Sequence, residues 1–579
     1  MTWRDRGCGE VRPEHVGEHV ALAGWADARR DHGGLVFVDL RDSSGICQLV
    51  FNPERAPAAH GAAHAVRNEF VLRAVGEVAR RAPENVNADL PTGAVELQVE
   101  ELEIVSDCPP LPFQLDEEGV DETLRIRYRW IDLRRERLQR NIRMRARMIS
   151  VIRREMDAAG FVEVETPIMA KPTPEGARDF LVPTRLQPGR FFALPQSPQI
   201  YKQLLVISGF ERYYQIARCF RDEDLRADRV QEITQLDLEM AFPDREAIFG
   251  LMETVFGAVW RECLDVELGS PFPRLTFVEA MQRYGTDKPD LRFALEIEDA
   301  TEATRESEFG VFANAACVRF LRVPQAFSRA ELERLEAVAK EWGGKGLAYL
   351  VFAEDGEVRS PIAKFLSEDE LALFRSEPGS TVLFGADRPA VVERVLGSLR
   401  LQLGRDLGLV DETLWCPVWI VDFPMFDWDD DEEAWQANHH PFTAPTPESE
   451  ALLDTDPGAA VAQAYDLVVN GVELGSGSIR IHKPELQAKV FDVLRISPEE
   501  QRSRFGFLLD ALAMGAPPHG GFAPGMDRTI MLLAGEPNLR DVIAFPKNQA
   551  GVDPMTGAPS DVEEEQLREL GIQLRMRQD

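Results

Sequence analysis

No apolar run in this chain approaches the roughly 20 residues that a membrane span requires. The opening residues, Met1 to Cys8, carry charges and no apolar signal core, so the expectation is a protein that stays in the cytoplasm with no membrane partner. Cysteine is sparse: seven residues lie far apart, with no Cys-x-x-Cys pair, which argues against both a zinc site and a disulfide framework. Positive charge is also short. With 65 Lys and Arg against 98 Asp and Glu, the net charge is −33, which at first sight argues against a nucleic-acid partner. What remains is globular in composition, 44% hydrophobic and 28% charged, and 579 residues leave room for about four domains.

The charge is unevenly spread. Between Arg125 and Arg154 arginines are dense in an otherwise acidic protein. Charge alone leaves two readings open: a landing strip for a phosphate backbone, or a solvated helix face salt-bridged to residues such as Asp132 and Glu136.

Residues 1–105 read as short strands divided by turns: Val20 to Ala26, Leu35 to Leu40, Gly45 to Phe51, Phe70 to Gly76 and Val95 to Glu100. Strands of this length with glycine and Asp/Ser turns predict a small closed barrel of the OB-fold type. One face of such a barrel binds single-stranded nucleic acid through aromatic stacking and cations. Arg29, Arg30, Phe37 and Gln48 are candidates for that face, although alternation does not say whether Phe37 or its neighbours Val36 and Val38 point inward.

The proline-rich stretch from Asp107 to Phe113 opens a hinge, 106–137. A long helix is expected from Leu138 to Ala159, ended by Gly160, then an alternating strand from Phe161 stopped by Pro167. Lys288 begins a region of mixed strands and helices that reads as an inserted domain, 288–414, with Ala330 to Trp342 helix-like and Gly379 to Gly385 strand-like. The flanking blocks, 138–287 and 415–579, then form one interrupted domain. The acidic stretch Asp427 to Trp435 reads as a solvated hairpin tip rather than a metal site.

Two arginines occupy chemically matched contexts. Arg221 lies in Phe220-Arg221-Asp222-Glu223, between a strand-like run and a loop that returns into Thr234 to Glu239. Arg528 closes the glycine-rich turn from His519 and enters a helix-like run. A guanidinium on each side of a cleft suits a triphosphate, because its planar fork meets phosphate oxygens in pairs. These segments resemble motifs 2 and 3 of the class II aminoacyl-tRNA synthetases, and the helix ending in Gly160 with the Phe161–Pro167 strand resembles motif 1. The segments Thr173 to Phe180, Leu194 to Lys202, Ala217 to Arg229, His439 to Thr443 and Gly475 to His482 narrow the likeness to the aspartate-specific bacterial branch, inserted domain included. The resemblance implies a multidomain α/β and β protein: an OB-fold anticodon-binding barrel, a catalytic domain with an antiparallel sheet and flanking helices, and an inserted α+β domain.

It also implies an ATP-dependent ligase that joins L-aspartate to tRNA(Asp). Arg221 would hold the attacking α-carboxylate and the α-phosphate, and Arg528 the γ-phosphate. Asp222, Glu223 and the turn Gly525, Met526, Asp527 would contact the nucleotide, while Asp466 and Glu473 would hold Mg2+. Those two carboxylates are an odd seven residues apart, so a bend must intervene for them to share a face. Lys202 and Arg480 would clamp the side-chain carboxylate of aspartate, with Asp237 holding both cations. Glu175 and Gln199 would meet the α-ammonium, and Ser197 with His439 or His440 would close the pocket. Pro167 would lie at a homodimer interface.

One departure stands out: Val230 occupies a position where the family commonly has a nucleotide-contacting glutamine, and Gln231 is the candidate substitute. His32 adjoins the presumed anticodon face, with Arg30, Phe37 and Gln48. Relatives that charge only tRNA(Asp) often have leucine there, and those that also accept tRNA(Asn) often have histidine, so the reading leans to both tRNAs. The alternatives are an inactive tRNA-binding paralogue, which should have lost Arg221, Arg528 or the acidic pair, and a synthetase for asparagine or lysine, which would lack the Lys202/Arg480 combination. No His-Ile-Gly-His or Lys-Met-Ser-Lys-Ser signature of a class I enzyme occurs.

Overall fold

The computed structural model describes residues 3–172 and 177–575. The chain divides into two compact units, residues 1–120 and 121–579.

The first unit is a closed barrel of the strands His19–His32, Leu35–Asp42, Gly45–Phe51, Val71–Arg80 and Val95–Ser106. Four of its five joins are antiparallel, and a parallel pairing of the third strand with the fifth, Leu49 opposite Leu97, completes the ring. Val36, Val38 and Leu40 fill the interior, so Phe37 and Asp39 point outward. That decides the question alternation left open: Phe37 is not a core residue. The first two strands are joined by Gly33 and Gly34, whose φ angles of 59° and 82° fit a two-residue hairpin turn that other residues adopt only under strain.

The second unit is built on an eight-stranded sheet. Its order is Arg274–Thr276, Pro417–Val421, Ala464–Val469, Val472–Ile479, His519–Pro524, Glu232–Ala241, Arg212–Phe220 and Val162–Glu163. The inner joins are antiparallel, but the strand at each edge pairs in parallel, so the sheet is mixed rather than purely antiparallel. Parallel pairing at the second edge follows from topology: Val162–Glu163 enters directly from a long helix on the sheet's face. The alternating segment from Phe161 to Pro167 thus contributes only two strand residues, and Pro167, which lacks an N–H, lies beyond them.

That helix spans Glu136–Ala158 and buries Met148, Val151, Ile152 and Met156, a spacing that forms one helical stripe against the helix Arg245–Leu264. Gly160 ends it with φ 78°. The arginine-rich stretch is largely internal bracing. Arg129 is buried and donates to the carbonyls of Arg540, Ile543 and Ala544. Arg125 reaches Asp541 at 2.6 Å, Arg137 reaches Glu536 at 2.6 Å, and Arg145 pairs with Asp527. The hinge stretch contains two short helices, Glu122–Arg127 and Arg129–Asp132.

Between the two catalytic blocks lies a second, antiparallel sheet in the order Ile297–Asp299, Cys317–Val323, Ser380–Asp387, Ala348–Phe352, Val358–Arg359. The helices Arg329–Glu341 and Pro389–Asp406 cover one face, and an aromatic cluster that includes Phe312, Phe320, Phe374 and Phe384 fills the other. Phe426–Asp429 and Ala434–Ala437 form the expected acidic hairpin, held by an edge-on contact of Trp428 and Trp435. No helix among the described residues is long and apolar enough to cross a membrane.

Candidate active site

The large sheet forms the floor of a cavity of about 600 Å³. Along Glu232–Ala241 the residues Gln235 and Asp237 line the cavity, and Glu239 follows on the same strand face. Polar groups at every second position of a buried strand are costly unless each finds a partner. The helix Gln199–Ile207 supplies one: Gln199 and Lys202, almost one turn apart, face the same strand. Lys202 Nζ lies 2.9 Å from Asp237 Oδ2 and 3.5 Å from Glu239 Oε2.

Arg480 follows the strand Val472–Ile479. Its Nε and Nη2 donate to the two oxygens of Glu239 at 3.0 and 3.1 Å. Its remaining nitrogen, Nη1, donates to Ser478 Oγ at 2.5 Å and His440 Nε2 at 2.7 Å. The expectation that Asp237 holds both cations is therefore corrected. Asp237 takes Lys202, whereas Glu239, one strand repeat further on, takes the fork of Arg480 and shares Lys202. Burial alone would raise the Glu239 carboxyl, but Arg480 and Lys202 outweigh it and hold it below the usual range. Two cations and two carboxylates are thus paired before any ligand enters.

His440 Nε2 faces Arg480 Nη1 at 2.7 Å, and its Nδ1 accepts from the Phe442 N–H at 3.2 Å. Burial, then the Arg480 charge, depresses its pKa well below the ordinary value, so the ring is neutral. His439, half-buried and edge-on against Phe423, is pushed down to about 4, chiefly by desolvation. Gly477 lies in the cavity floor, where a Cβ would sit 2.3 Å from the carbonyl oxygen of Gly521 and 2.6 Å from the Tyr465 ring.

Asp466 and Glu473 lie on the two arms of a tight hairpin. Asn470 and Gly471, with φ of 52° and 79°, make the turn, and Val468 pairs with Glu473. Asp466 is two residues from Val468, so the reversal brings both carboxylates to one side despite their odd separation. Ser476 Oγ donates to Asp466 at 2.6 Å. Burial, then the Glu473 charge, pushes Asp466 well up. Glu473 is held low because Lys288 and Arg528 outweigh its own burial.

Among the described residues no group of three or more His, Cys, Asp or Glu forms a metal cage. Two carboxylates nonetheless fit Mg2+, which is commonly held by one or two of them together with substrate phosphates. The cation already drawn to Glu473, Lys288 Nζ at 2.9 Å, shows that the pair attracts positive charge.

The structure therefore brings Ser197, Gln199, Lys202, Arg221, Glu223, Asp237, His439, His440, Asp466, Glu473 and Arg480 around one cavity. Arg528 reaches it from the first turn of the helix Met526–Ala534, donating to the Glu473 carbonyl at 2.8 Å. Other candidates lie elsewhere. Met526 is buried in the core, and Asp527 turns its carboxylate to the Thr234 N–H and Arg145. Gln231 lines a separate cavity of about 30 Å³ with Val230, Arg218 and Lys547. Asp222 pairs through its backbone with Arg178, and the Gly525 N–H donates to the Leu474 carbonyl. Glu175 lies outside the described residues.

On the barrel, Arg30 is opposite Phe37 and Asp39 opposite Gln48, all on the outer surface. Arg30 pairs with Asp39 at 2.7 Å and Gln48 donates to Glu96 at 3.1 Å. Arg29 turns to the opposite side, toward Asp31 and His64, while His32 is exposed beside the Gly33–Gly34 turn.

Residues 121–549 match the family model of tRNA synthetases class II (D, K and N). The chain belongs to that family. Residues 20–105 match the OB-fold nucleic acid binding domain. An aspartate–tRNA(Asp/Asn) ligase of Syntrophomonas wolfei is 50% identical over 571 residues, 97% of each chain. One from Caldanaerobacter subterraneus is 48% identical over 99% of this chain and 98% of its own. Among solved structures, asparaginyl-tRNA synthetase from Pyrococcus horikoshii matches with TM-score 0.60 and 18% identity, covering 93% of this chain and 97% of that one. Aspartyl-tRNA synthetase from Entamoeba histolytica matches with TM-score 0.58 and 19% identity, covering 93% and 91%. At these identities the structural likeness shows the shared fold.

Within this class II framework the cavity also includes Gln196, Gln235, Asp287 and Asn438, which the sequence reading passed over, while Glu239 and Lys288, passed over likewise, pair with its lining residues Lys202, Arg480 and Glu473. For Gln235 and Glu239 a signal was available. Gln235-Leu-Asp-Leu-Glu239 alternates polar and apolar residues within a strand otherwise buried on both faces.

Proposed function

We propose that this class II synthetase is an aspartate–tRNA ligase. It activates L-aspartate with ATP, giving aspartyl-adenylate and pyrophosphate, and then transfers aspartate to the 3′ end of tRNA. The observation that carries the reading is the buried Lys202/Arg480 pair on the wall of a cavity that also contains Arg221.

The two reacting groups are both anions. An oxygen of the aspartate α-carboxylate forms a bond to the α-phosphorus, and the bond from that phosphorus to the bridging oxygen breaks, leaving with pyrophosphate. No proton moves, so the work is positioning and charge neutralisation. Arg221 spans the carboxylate and the α-phosphate, and Arg528 takes the distal phosphates. Asp466 and Glu473 are the residues that would hold Mg2+, which supplies charge neutralisation between the phosphates when bound.

Specificity rests on Lys202 and Arg480. Aspartate and asparagine are nearly isosteric, so shape does not separate them. An amide NH2 set against buried donors leaves mismatched polar groups, which can discriminate by roughly 10⁴-fold. Ser197 and Gln199 line the same pocket, with His439 and His440 closing it.

The outer barrel face with Arg30, Phe37 and Gln48 receives the anticodon. His32 supports acceptance of both tRNA(Asp) and tRNA(Asn), as do relatives named for both. The anticodons of the two tRNAs differ in a last base that offers either a donor or an acceptor, and a neutral imidazole can serve either. The exposed apolar residues Ile168 and Met169 beside Pro167 support a homodimer interface there. An enzyme acting on tRNA in this way works in the cytoplasm. Pyrophosphate exchange with aspartate, asparagine and lysine offered separately tests the assignment, and exchange driven equally by asparagine would reject it.

A further inference from the structure

Lys288 follows the first catalytic block and opens the segment leading to the second sheet. Its Nζ lies 2.9 Å from Glu473 Oε2, while Arg528 stands 3.6 Å from the other oxygen of the same carboxylate. The Lys288 side chain is 43% exposed, so burial does not force this pairing. The backbone behind it is rooted. Arg400, buried in the helix Pro389–Asp406, donates to the carbonyls of Asp290, Phe293 and Leu295. Asp290 packs against Gly471, in the turn joining the two carboxylate strands: a Cβ on that glycine would lie 3.3 Å from Asp290 Cβ. Lys288 is therefore a flexible arm on a fixed base, aimed at a carboxylate that must take another cation when ATP arrives.

We propose that Lys288 is a further catalytic residue of nucleotidyl transfer. Its ammonium caps the Asp466/Glu473 pair while the nucleotide site is empty, and moves to the β- and γ-phosphates when ATP enters with its divalent ion. There it neutralises the charge that accumulates on pyrophosphate as the bond between the α-phosphorus and the bridging oxygen breaks. A lysine suits this exchange, since a compact charge on a four-carbon stem moves between partners more readily than a planar fork. The second sheet and its helix thus have a role at the site: they anchor the base from which Lys288 swings. This inference rests on the nucleotidyl-transfer reading of the cavity.

The test uses Mn2+ alone as the probe, titrated into the nucleotide-free full chain and followed by electron paramagnetic resonance. Lys288→Met removes a competing cation and should tighten Mn2+ binding about tenfold or more, whereas Lys288→Arg should stay near the unmodified protein. In aspartate-dependent pyrophosphate exchange, Lys288→Met should lose roughly 10–100-fold in kcat/KM for ATP, the scale of a lost charge-assisted hydrogen bond, with the aspartate KM unchanged. Lys288→Arg should recover only part of that loss, because it keeps the charge but its fork moves between partners less readily. Unchanged or weaker Mn2+ binding in Lys288→Met overturns the proposal, and so does unchanged ATP kinetics. The Mn2+ titration needs neither aspartate nor tRNA. Tighter Mn2+ binding in Lys288→Met, together with an unmodified protein inert toward aspartate, would therefore reject the assigned substrate while supporting the capping role of Lys288.

Discussion

Glu239→Gln is the most informative single change in the pocket. Glutamine keeps the size of the side chain but removes the charge that Arg480 meets through two nitrogens and Lys202 approaches at 3.5 Å. One of the two contacts to the guanidinium then becomes an NH2 facing N–H donors. Removing one partner of a buried ion pair costs about 3–5 kcal/mol, because the other charge stays buried. Arg480 keeps one contact, to the amide oxygen, together with its Nη1 contacts to Ser478 and His440. Aspartate-dependent pyrophosphate exchange should fall by roughly 100-fold or more in kcat/KM, read as lost transition-state stabilisation, and the thermal unfolding midpoint should drop. Asp237→Asn provides the comparison. It leaves Lys202 near Glu239 and Arg480 fully held, so it should be milder on both measures. If Asp237→Asn does equal or greater damage, Glu239 is not the shared anchor and this account of the pocket is wrong.

Other outcomes follow from the same geometry. Arg221→Ala should cost about 3 kcal/mol in the adenylation step, a 10²–10³-fold loss, and Arg221→Lys should not restore it because a point charge cannot replace the fork; near-normal exchange in either variant refutes the role. His440 has its pKa depressed by desolvation and by the Arg480 charge, so the unfolded chain takes up a proton near pH 6.5 that the folded protein resists. Its contribution to stability is present above that pH and is lost as pH falls below it, with a slope of up to about 1.4 kcal/mol per unit. His440→Asn should flatten the fall of the unfolding midpoint below pH 6.5, and a parallel pH profile would count against it. Phe37→Ala should weaken tRNA binding by about 1–3 kcal/mol without affecting adenylation. His32→Leu should lower aspartylation of tRNA(Asn) more than of tRNA(Asp).

Where the chain alternates or turns tightly, the sequence was a good guide. The barrel strands, Gly33–Gly34, the helix ending at Gly160 and the acidic hairpin are local patterns, and each appears in the structure, although His19–His32 and Val95–Ser106 run well past the expected ends at Ala26 and Glu100. The odd separation of Asp466 and Glu473 posed a geometric problem whose answer, a two-residue turn at Asn470 and Gly471, is equally local. What stayed hidden depends on distant partners. Asp237 and Glu239 share one face of one strand, and only the placement of Arg480 decides which of them anchors it. Lys288 read as the edge of an insertion because its partner, Glu473, lies far along the chain. The dense arginines from Arg125 to Arg154 left two readings open until the carboxylates and carbonyls near residue 540 showed where many of them are bound.

The most direct test of the central claim is pyrophosphate exchange by the purified full chain with aspartate, asparagine or lysine as the only amino acid. The buried Lys202–Asp237 and Arg480–Glu239 pairs predict exchange with aspartate and a preference over asparagine approaching 10⁴-fold, with none from lysine. Comparable exchange with asparagine, or none with aspartate, would contradict it.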